Sequence, residues 1–211
     1  MSTEVSIVHL LDIVTDNPVE AHLRDQVEDR NLKDWETRWR PVIEATAKRL
    51  AGQNVPRSQW PQSTHWDWRQ KIEDMKGLLS GAAFCIEYES VTQGLIALNT
   101  TKGRARIEQQ KGQHLVYVEY LEAAPWNRGE HVAKPRFRGV GSILMRAAIA
   151  LSQAEGFRGR LGLHALPQSH VFYADKCGMT DLGPDPKYQN LNYFEMTVEQ
   201  AEGFLHGKER T

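Results

Sequence analysis

The feature that most constrains this chain is the passage from HLVYVEYLEAA (114–124) through RFRGVG (136–141) into SILMRAAIALSQAE (142–155). The first run reads as a strand. In the last, Ile143, Leu144, Ala147, Ala148 and Leu151 face one way at helical spacing, with Arg146, Gln153 and Glu155 outward and Gly156 as C-cap. A helix start presents unpaired N–H groups and the positive end of the helix dipole. Gly139 and Gly141 remove the side chains that would keep a phosphate or pyrophosphate away from those groups. Local charge agrees: Arg128, Lys134, Arg136, Arg138 and Arg146 stand against Glu130 alone, in a chain of net charge -1.

Around this junction the pattern alternates between strand and helix. Val5–Ile13 reads as an apolar strand. Asn17-Pro18 reads as a helix start, followed by a weak stripe at Val19, Leu23 and Val27. A better helix begins near Asn31, with Pro41 expected to kink it. Gly52–Ser63 reads as a loop, and a helix carrying Trp68, Ile72, Met75 and Leu79 runs to Gly81. Strands are expected at 82–89 and 95–99, with turns near Thr92-Gln93-Gly94 and Lys102-Gly103. Beyond the central helix come a strand at 160–166, a short helix at 169–176, two closing strands and a terminal helix at 198–205. This order predicts an α/β chain (α+β, mixed sheet) in one domain, 1–211.

With 211 residues, 40% hydrophobic and 25% charged, the chain can bury a core without metal or disulfide staples. The near-neutral charge argues against a broad grip on nucleic acid. Cys85 and Cys177 form no metal-binding or redox pattern, so no metal is expected. The opening residues have no basic n-region, and no apolar run approaches ~18 residues, so no signal peptide and no membrane span is expected and the location is read as cytoplasmic. The glycine-rich stretch is neither a Walker loop, which needs GxxxxGK[ST], nor a dinucleotide fingerprint, since Leu144 stands where the third glycine would fall.

Arg136-Phe137-Arg138-Gly139-Val140-Gly141 after a strong strand resembles the acyl-CoA pyrophosphate loop, R-x-x-G-x-G, of the GNAT acetyltransferase superfamily. HVFYADKCGM (170–179) resembles that family's downstream pattern of an aromatic, a tyrosine, polar residues, glycine and an apolar residue. The chain departs from the pattern at Leu166, at Met179 and in the long loop Trp126–Pro135. The resemblance implies a GNAT-like fold, a central, mostly antiparallel sheet of about seven strands flanked by helices. Acceptor-side helices would fill about 17–80 and an acyl-CoA-binding core about 114–183. It implies acetyl-CoA as acyl donor, a pantetheine arm on the backbone of Leu121, Glu122 and Ala123, and a pyrophosphate on residues 137–142, through Ser142, with Arg136 beside it. It implies an amine acceptor on a small molecule or protein, and it admits a homodimer.

Transfer to an amine needs a base, because a lysine-like amine with a pKa of ~10.4 is protonated at pH 7. Glu119 and Glu122, three apart on one strand, face opposite sides. Glu119 matches the position where some aminoglycoside-modifying members carry an acid and is the expected base, with Glu122 the alternative. The resemblance implies Tyr173 as the acid that protonates the departing thiolate. His131, His164 and His170 read first as structural or surface groups, and Cys177 lacks partners for nucleophilic work. Trp126 and Asn127 at the strand end are candidate acceptor contacts. Trp60, Trp66 and Trp68 could wall an acceptor, but helical spacing favours the core for Trp35, Trp39 and Trp68. Two rivals stand beside this reading: a non-catalytic acyl-CoA-binding sensor or interaction module, and a toxin-like enzyme acting on charged tRNA.

Overall fold

A computed structural model describes residues 4–207. The outermost residues of the expected domain, 1–3 and 208–211, lie outside them. The strands are β1 (Val5–Asp12), β2 (Asn17–Arg24), β3 (Gly81–Tyr88), β4 (Val91–Arg104), β5 (His114–Ala123), β6 (Phe137–Arg138), β7 (Leu161–Ala165), β8 (Thr180–Asp185) and β9 (Leu191–Met196). The α-helices are α1 (Asp29–Asp34), α2 (Arg40–Gly52), α3 (Trp68–Met75), α4 (Val140–Ala154) and α5 (Val198–Leu205). The strands form a single mixed sheet in the order β6-β1-β2-β3-β4-β5-β7-β9-β8. β5 and β7 run parallel, joined through α4, while β1–β2, β2–β3, β7–β9 and β8–β9 are antiparallel.

The sheet has nine strands rather than about seven, and the expected acceptor-side helix at 17 is a strand. The stripe Val19, Leu23, Val27 has a spacing of four, which suits a helix but is also twice the strand period. The intervening Ala21, fully buried, is what shows the strand. Asp12 then shapes the hairpin: its carboxylate accepts from the N–H groups of Val14 (2.8 Å) and Thr15 (3.4 Å). β6 is the other addition. It closes the long loop by pairing Phe137 with Asp12 and Arg138 with Leu11.

Two glycines read as turns lie instead inside β4. A Cβ on Gly103 would come 2.6 Å from Leu115 Cδ1, and one on Gly94 would come 2.5 Å from Val140 Cγ1. Both mark close approach of neighbouring elements. The actual β3–β4 turn is made by Glu89 and Ser90, both left-handed at φ 49° and 62°. Between α1 and α2 the helix continues through a π turn, Trp35–Trp39, just before Pro41. α3 ends at Met75, short of the expected Gly81, where Gly77 takes φ 79°.

The chain forms two compact units, described separately. The first contains residues up to Lys76 with 83–96 and 121–144; the second contains 77–82, 97–120 and the chain from Met145 on. In the first unit Leu10, Trp35, Trp39, Trp68 and Ile86 are buried, so these tryptophans are core residues. In the second, Leu98, Leu115, Leu161, Leu163, Phe194 and Met196 form the apolar interior.

Candidate active site

In the first unit the site is built around the start of α4. Gly139 is exposed and adopts φ 97°, a conformation L side chains rarely take. The first helical bond runs from Ile143 N–H to Gly139 O (2.9 Å). The N–H groups of Val140, Gly141 and Ser142 therefore have no acceptor within the helix. Val140 is buried and Gly94 has no side chain, so the first turn of α4 seats directly on β4. The glycine loop is thus held from below by β4 and on its approach by β6, paired to β1.

The long loop that enters it is closed on itself. A short 3-10 turn at Pro125–Asn127 places Trp126 and Asn127. Gln93 Oε1 accepts from Trp126 Nε1 (2.9 Å) and from Asn127 Nδ2 (3.1 Å). Asn127 Oδ1 in turn accepts from Phe137 N–H (3.1 Å), and Trp126 O from Arg136 N–H (2.9 Å). Both ends of the Asn127 amide are spent in this clamp, which leaves the Trp126 ring for contact. That ring lines a 420 Å³ cavity with Tyr88, Val91, Gln93, Arg38 and Arg136. Arg136 lies 4.8 Å from the Phe137 ring centroid and 4.0 Å from the Asp12 carboxylate. Arg138 is exposed beside it.

Glu122 is the buried charge of this unit, 3% exposed at the end of β5 between half-buried Leu121 and Ala123. Trp68 Nε1 donates to one of its oxygens (2.7 Å) and Arg128 Nη1 to the other (3.0 Å). Arg128 also reaches Ser63 Oγ (3.1 Å) and Glu130 (2.5 Å). Burial pushes the Glu122 carboxyl above its ordinary range, and Arg128 opposes that push. The sequence counted Arg128 among the cations of the anion site; the structure spends it on two acids. The sequence reading assigns none of Trp68, Gln93, Gly94 and Arg128 the part it plays here. They lie on elements distant in the chain, and only the fold brings them together.

The second unit holds the other candidates. Parallel pairing of β5 with β7 runs from Val116↔Leu161 to Val118↔Leu163. Beyond it, His164 and Ala165 pair with β9, while β5 continues through Glu119 and Tyr120. Glu119 is half-buried and ion-paired with Lys102. Tyr173 sits in a π turn, Phe172–Lys176, and is 7% exposed. Its hydroxyl has no hydrogen-bond partner among the described residues, and burial raises its pKa, so the phenol keeps its proton. His164 is held at both nitrogens, by Tyr117 Oη (2.6 Å) and Asp185 (3.1 Å), and stacks on Tyr188 at 3.7 Å. Arg106 beside Asp185 holds that carboxyl down at about 2, so it can only accept and His164 Nε2 carries the proton. His164 Nδ1 then accepts from the Tyr117 hydroxyl. Cys177 is buried and its thiol is pushed up to about 12, the opposite of a nucleophile's setting.

Among the described residues no group of three or more His, Cys, Asp or Glu could hold a metal ion, and no helix is long and apolar enough to cross a membrane.

No protein-family model and no curated protein matches this sequence. Solved structures do match its fold. An acetyltransferase assigned to the GNAT family from Desulfovibrio desulfuricans superposes with a TM-score of 0.54 at 11% identity, covering 84% of this chain and 99% of the other. RimJ of Mycobacterium smegmatis, in complex with CoA-disulfide, gives 0.51 at 14% identity over 98% of this chain and 95% of its own. The PaiA N-acetyltransferase of Thermoplasma acidophilum, in complex with coenzyme A, gives 0.50 at 14% identity over 92% and 98%. At these identities the likeness speaks for architecture alone. The single mixed sheet flanked by helices is a GNAT-like fold.

Proposed function

We propose that the protein is an N-acetyltransferase that moves an acetyl group from acetyl-CoA to a primary amine of a small molecule or protein. The observation that carries this reading is the start of α4: three helix N–H groups without helical acceptors, an exposed glycine at φ 97° before them, and Arg136 and Arg138 alongside. These groups fit a pyrophosphate. Two of the three solved structures named above were determined with coenzyme A or its disulfide, which supports the choice of ligand. The backbone of Leu121, Glu122 and Ala123 takes the pantetheine arm in this reading. Tyr173, with a free hydroxyl and a raised pKa, holds the proton that the departing thiolate needs. Glu119 takes the proton from the acceptor ammonium once Lys102 yields it. Trp126 supplies an aromatic wall for the acceptor, and Asn127 fixes the loop that carries it.

One observation favours the rival, an acyl-CoA-binding module without chemistry: both candidate carboxylates are engaged by cations, Glu119 by Lys102 and Glu122 by Arg128. A single set of measurements separates the two. Acetyl-CoA at about 100 times its Kd adds about 2.7 kcal/mol to stability, a rise in melting temperature of roughly 5–11 °C for a chain of this size. That rise disappears in Gly139→Asp. Incubation with a panel of primary amines then releases free thiol in an amine-dependent way, and Tyr173→Phe slows release about 100-fold while the melting shift stays. A melting shift without amine-dependent release leaves the binding module. No shift with any acyl-CoA removes both readings.

A further inference from the structure

A second cavity, of 1050 Å³, lies wholly within the second unit, well apart in the sequence from the glycine loop. Its walls come from the residues after β4, the turn before β7 and the start of α5, and three arginines line it: Arg106, Arg158 and Arg160. Their charges are not equivalent. Arg106 is neutralised by Asp185 at 2.7 Å and lies 3.9 Å over the Tyr193 ring. Arg160 is 7% exposed, and the only hydrogen bond of its guanidinium among the described residues is from Nε to His114 O (2.8 Å). No carboxylate lies within ion-pair distance of Arg158 or Arg160 among those residues. Burial and the neighbouring Arg158 both lower the Arg160 pKa, and no acid raises it.

The acids on the same walls make their hydrogen bonds and ion pairs with other groups. Glu108 pairs with Lys111 at 3.1 Å. Glu199 sits in the first turn of α5, where its own backbone N–H, the Thr197 hydroxyl and, least of the three, the charge of Arg158 hold its carboxyl below the usual range. A largely covered guanidinium without a counter-ion, opening on a cavity beside a second cation, favours an anion there. The position of Arg160 is nonetheless firmly fixed: its carbonyl accepts from Val116 N–H (3.1 Å) and Ser152 Oγ (2.8 Å). The free forks of two such side chains match the paired oxygens of an oxyanion. No acid acts on Arg160 and only the exposed Glu199 acts on Arg158, so the remaining positive charge suits an anion, and a phosphate monoester carries about -1.5 to -2 at pH 7.

We propose that Arg158 and Arg160 form a second ligand site, which binds the phosphate group of a small phosphate monoester in this cavity. It is independent of the acyl-transfer reading and survives if that reading fails.

The test is an NMR titration of the whole protein, with inorganic phosphate and with glycerol phosphate as probes, against chloride at matched ionic strength. Saturable shifts at the amides of Arg158, Arg160 and the start of α5, absent with chloride, are expected. Arg158→Gly is the decisive variant. Arg158 holds φ 60° and is exposed, so glycine removes the charge while relaxing the backbone, and the variant melts no lower than the parent. Its affinity for both probes falls at least about tenfold. Arg160→Lys, which keeps the charge and loses the fork, also weakens binding. Equal affinity in Arg158→Gly, equal shifts with chloride, or shifts confined to residues 139–142 would each overturn the proposal.

Discussion

Glu122 and Glu119 show how two carboxylates on one strand are set to different tasks by their neighbours. Glu122 is sealed at 3% exposure with a donor on each oxygen, from Trp68 and Arg128. Glu119 is half-buried and meets the flexible ammonium of Lys102. A carboxylate with both oxygens engaged in a dry site is poorly placed to take a substrate proton, whereas an ammonium on a four-carbon stem can swing away. Exchanging Glu122 for Gln keeps an acceptor for the Trp68 indole but leaves the half-buried Arg128 with only the more exposed Glu130. Breaking a buried pair this way costs about 3–5 kcal/mol, and Glu130 places the expected loss near the lower end. Glu119→Gln, at a more open site, costs under about 1 kcal/mol. Urea unfolding of the two variants measures the difference. Equal losses would mean that the Glu122 pair does not anchor the structure.

At the scale of elements, the start of α4 depends on what β4 lacks. A methyl on Gly94 would stand 2.5 Å from Val140 Cγ1 and 3.0 Å from Leu144 Cδ1, both on α4. Val140 is an N-terminal residue of that helix, so relief of the clash lifts the first turn and moves the N–H groups proposed to hold the pyrophosphate. Gly94→Ala therefore destabilises by about 1–3 kcal/mol and weakens acetyl-CoA binding more than its stability loss accounts for, as isothermal titration below the melting range would show. Unchanged affinity would place the ligand elsewhere. The same glycine explains what was legible in the sequence and what was not. Helix α4, strand β5 and the terminal helix could be read from periodicity because their apolar residues recur within one element. Gly94 and Gly103 were misread as turns because close approach and turn geometry both select glycine, and only the partner element distinguishes them. β2 was misread because a spacing of four serves both periods. The clamp of Gln93 on Asn127 and the bond of Trp68 to Glu122 join residues 34 and 54 positions apart, a separation over which no local pattern carries information.

For the molecule as a whole, acid is the condition that tests the packing most directly, and His131 sets its upper edge. Thr46 donates its hydroxyl proton to Val42 O (2.9 Å), so its oxygen accepts from His131 Nδ1 (3.1 Å). That tautomer leaves His131 Nε2 as a bare lone pair, buried and without a partner among the described residues. Protonation there would place a charge in a dry site near Arg128, and burial first, Arg128 second, lower the pKa to about 4 from an ordinary 6.5. The folded value lies below the unfolded one, so the folded state binds fewer protons. The contribution of His131 is complete above pH 6.5 and drains away as pH falls from 6.5 to about 4. A difference of about 2.5 units corresponds to about 3 kcal/mol. His164, also lowered by burial, loses stability in the same direction. Glu122 acts oppositely, since its raised carboxyl gains relative stability as it takes up a proton. The depressed carboxyls of Glu130 and Asp185 begin to fail only at lower pH. The net fall in wild type therefore mixes several groups, and the informative quantity is the difference from a His131→Asn variant. Asn can still donate to Thr46 and does not titrate. Its unfolding free energy, followed by urea titration at pH 7, 6, 5 and 4.5, should decline less steeply than that of wild type across this window. Parallel declines would show that His131 takes up its proton in the folded state as readily as in the unfolded chain, and that the site around Nε2 is wet.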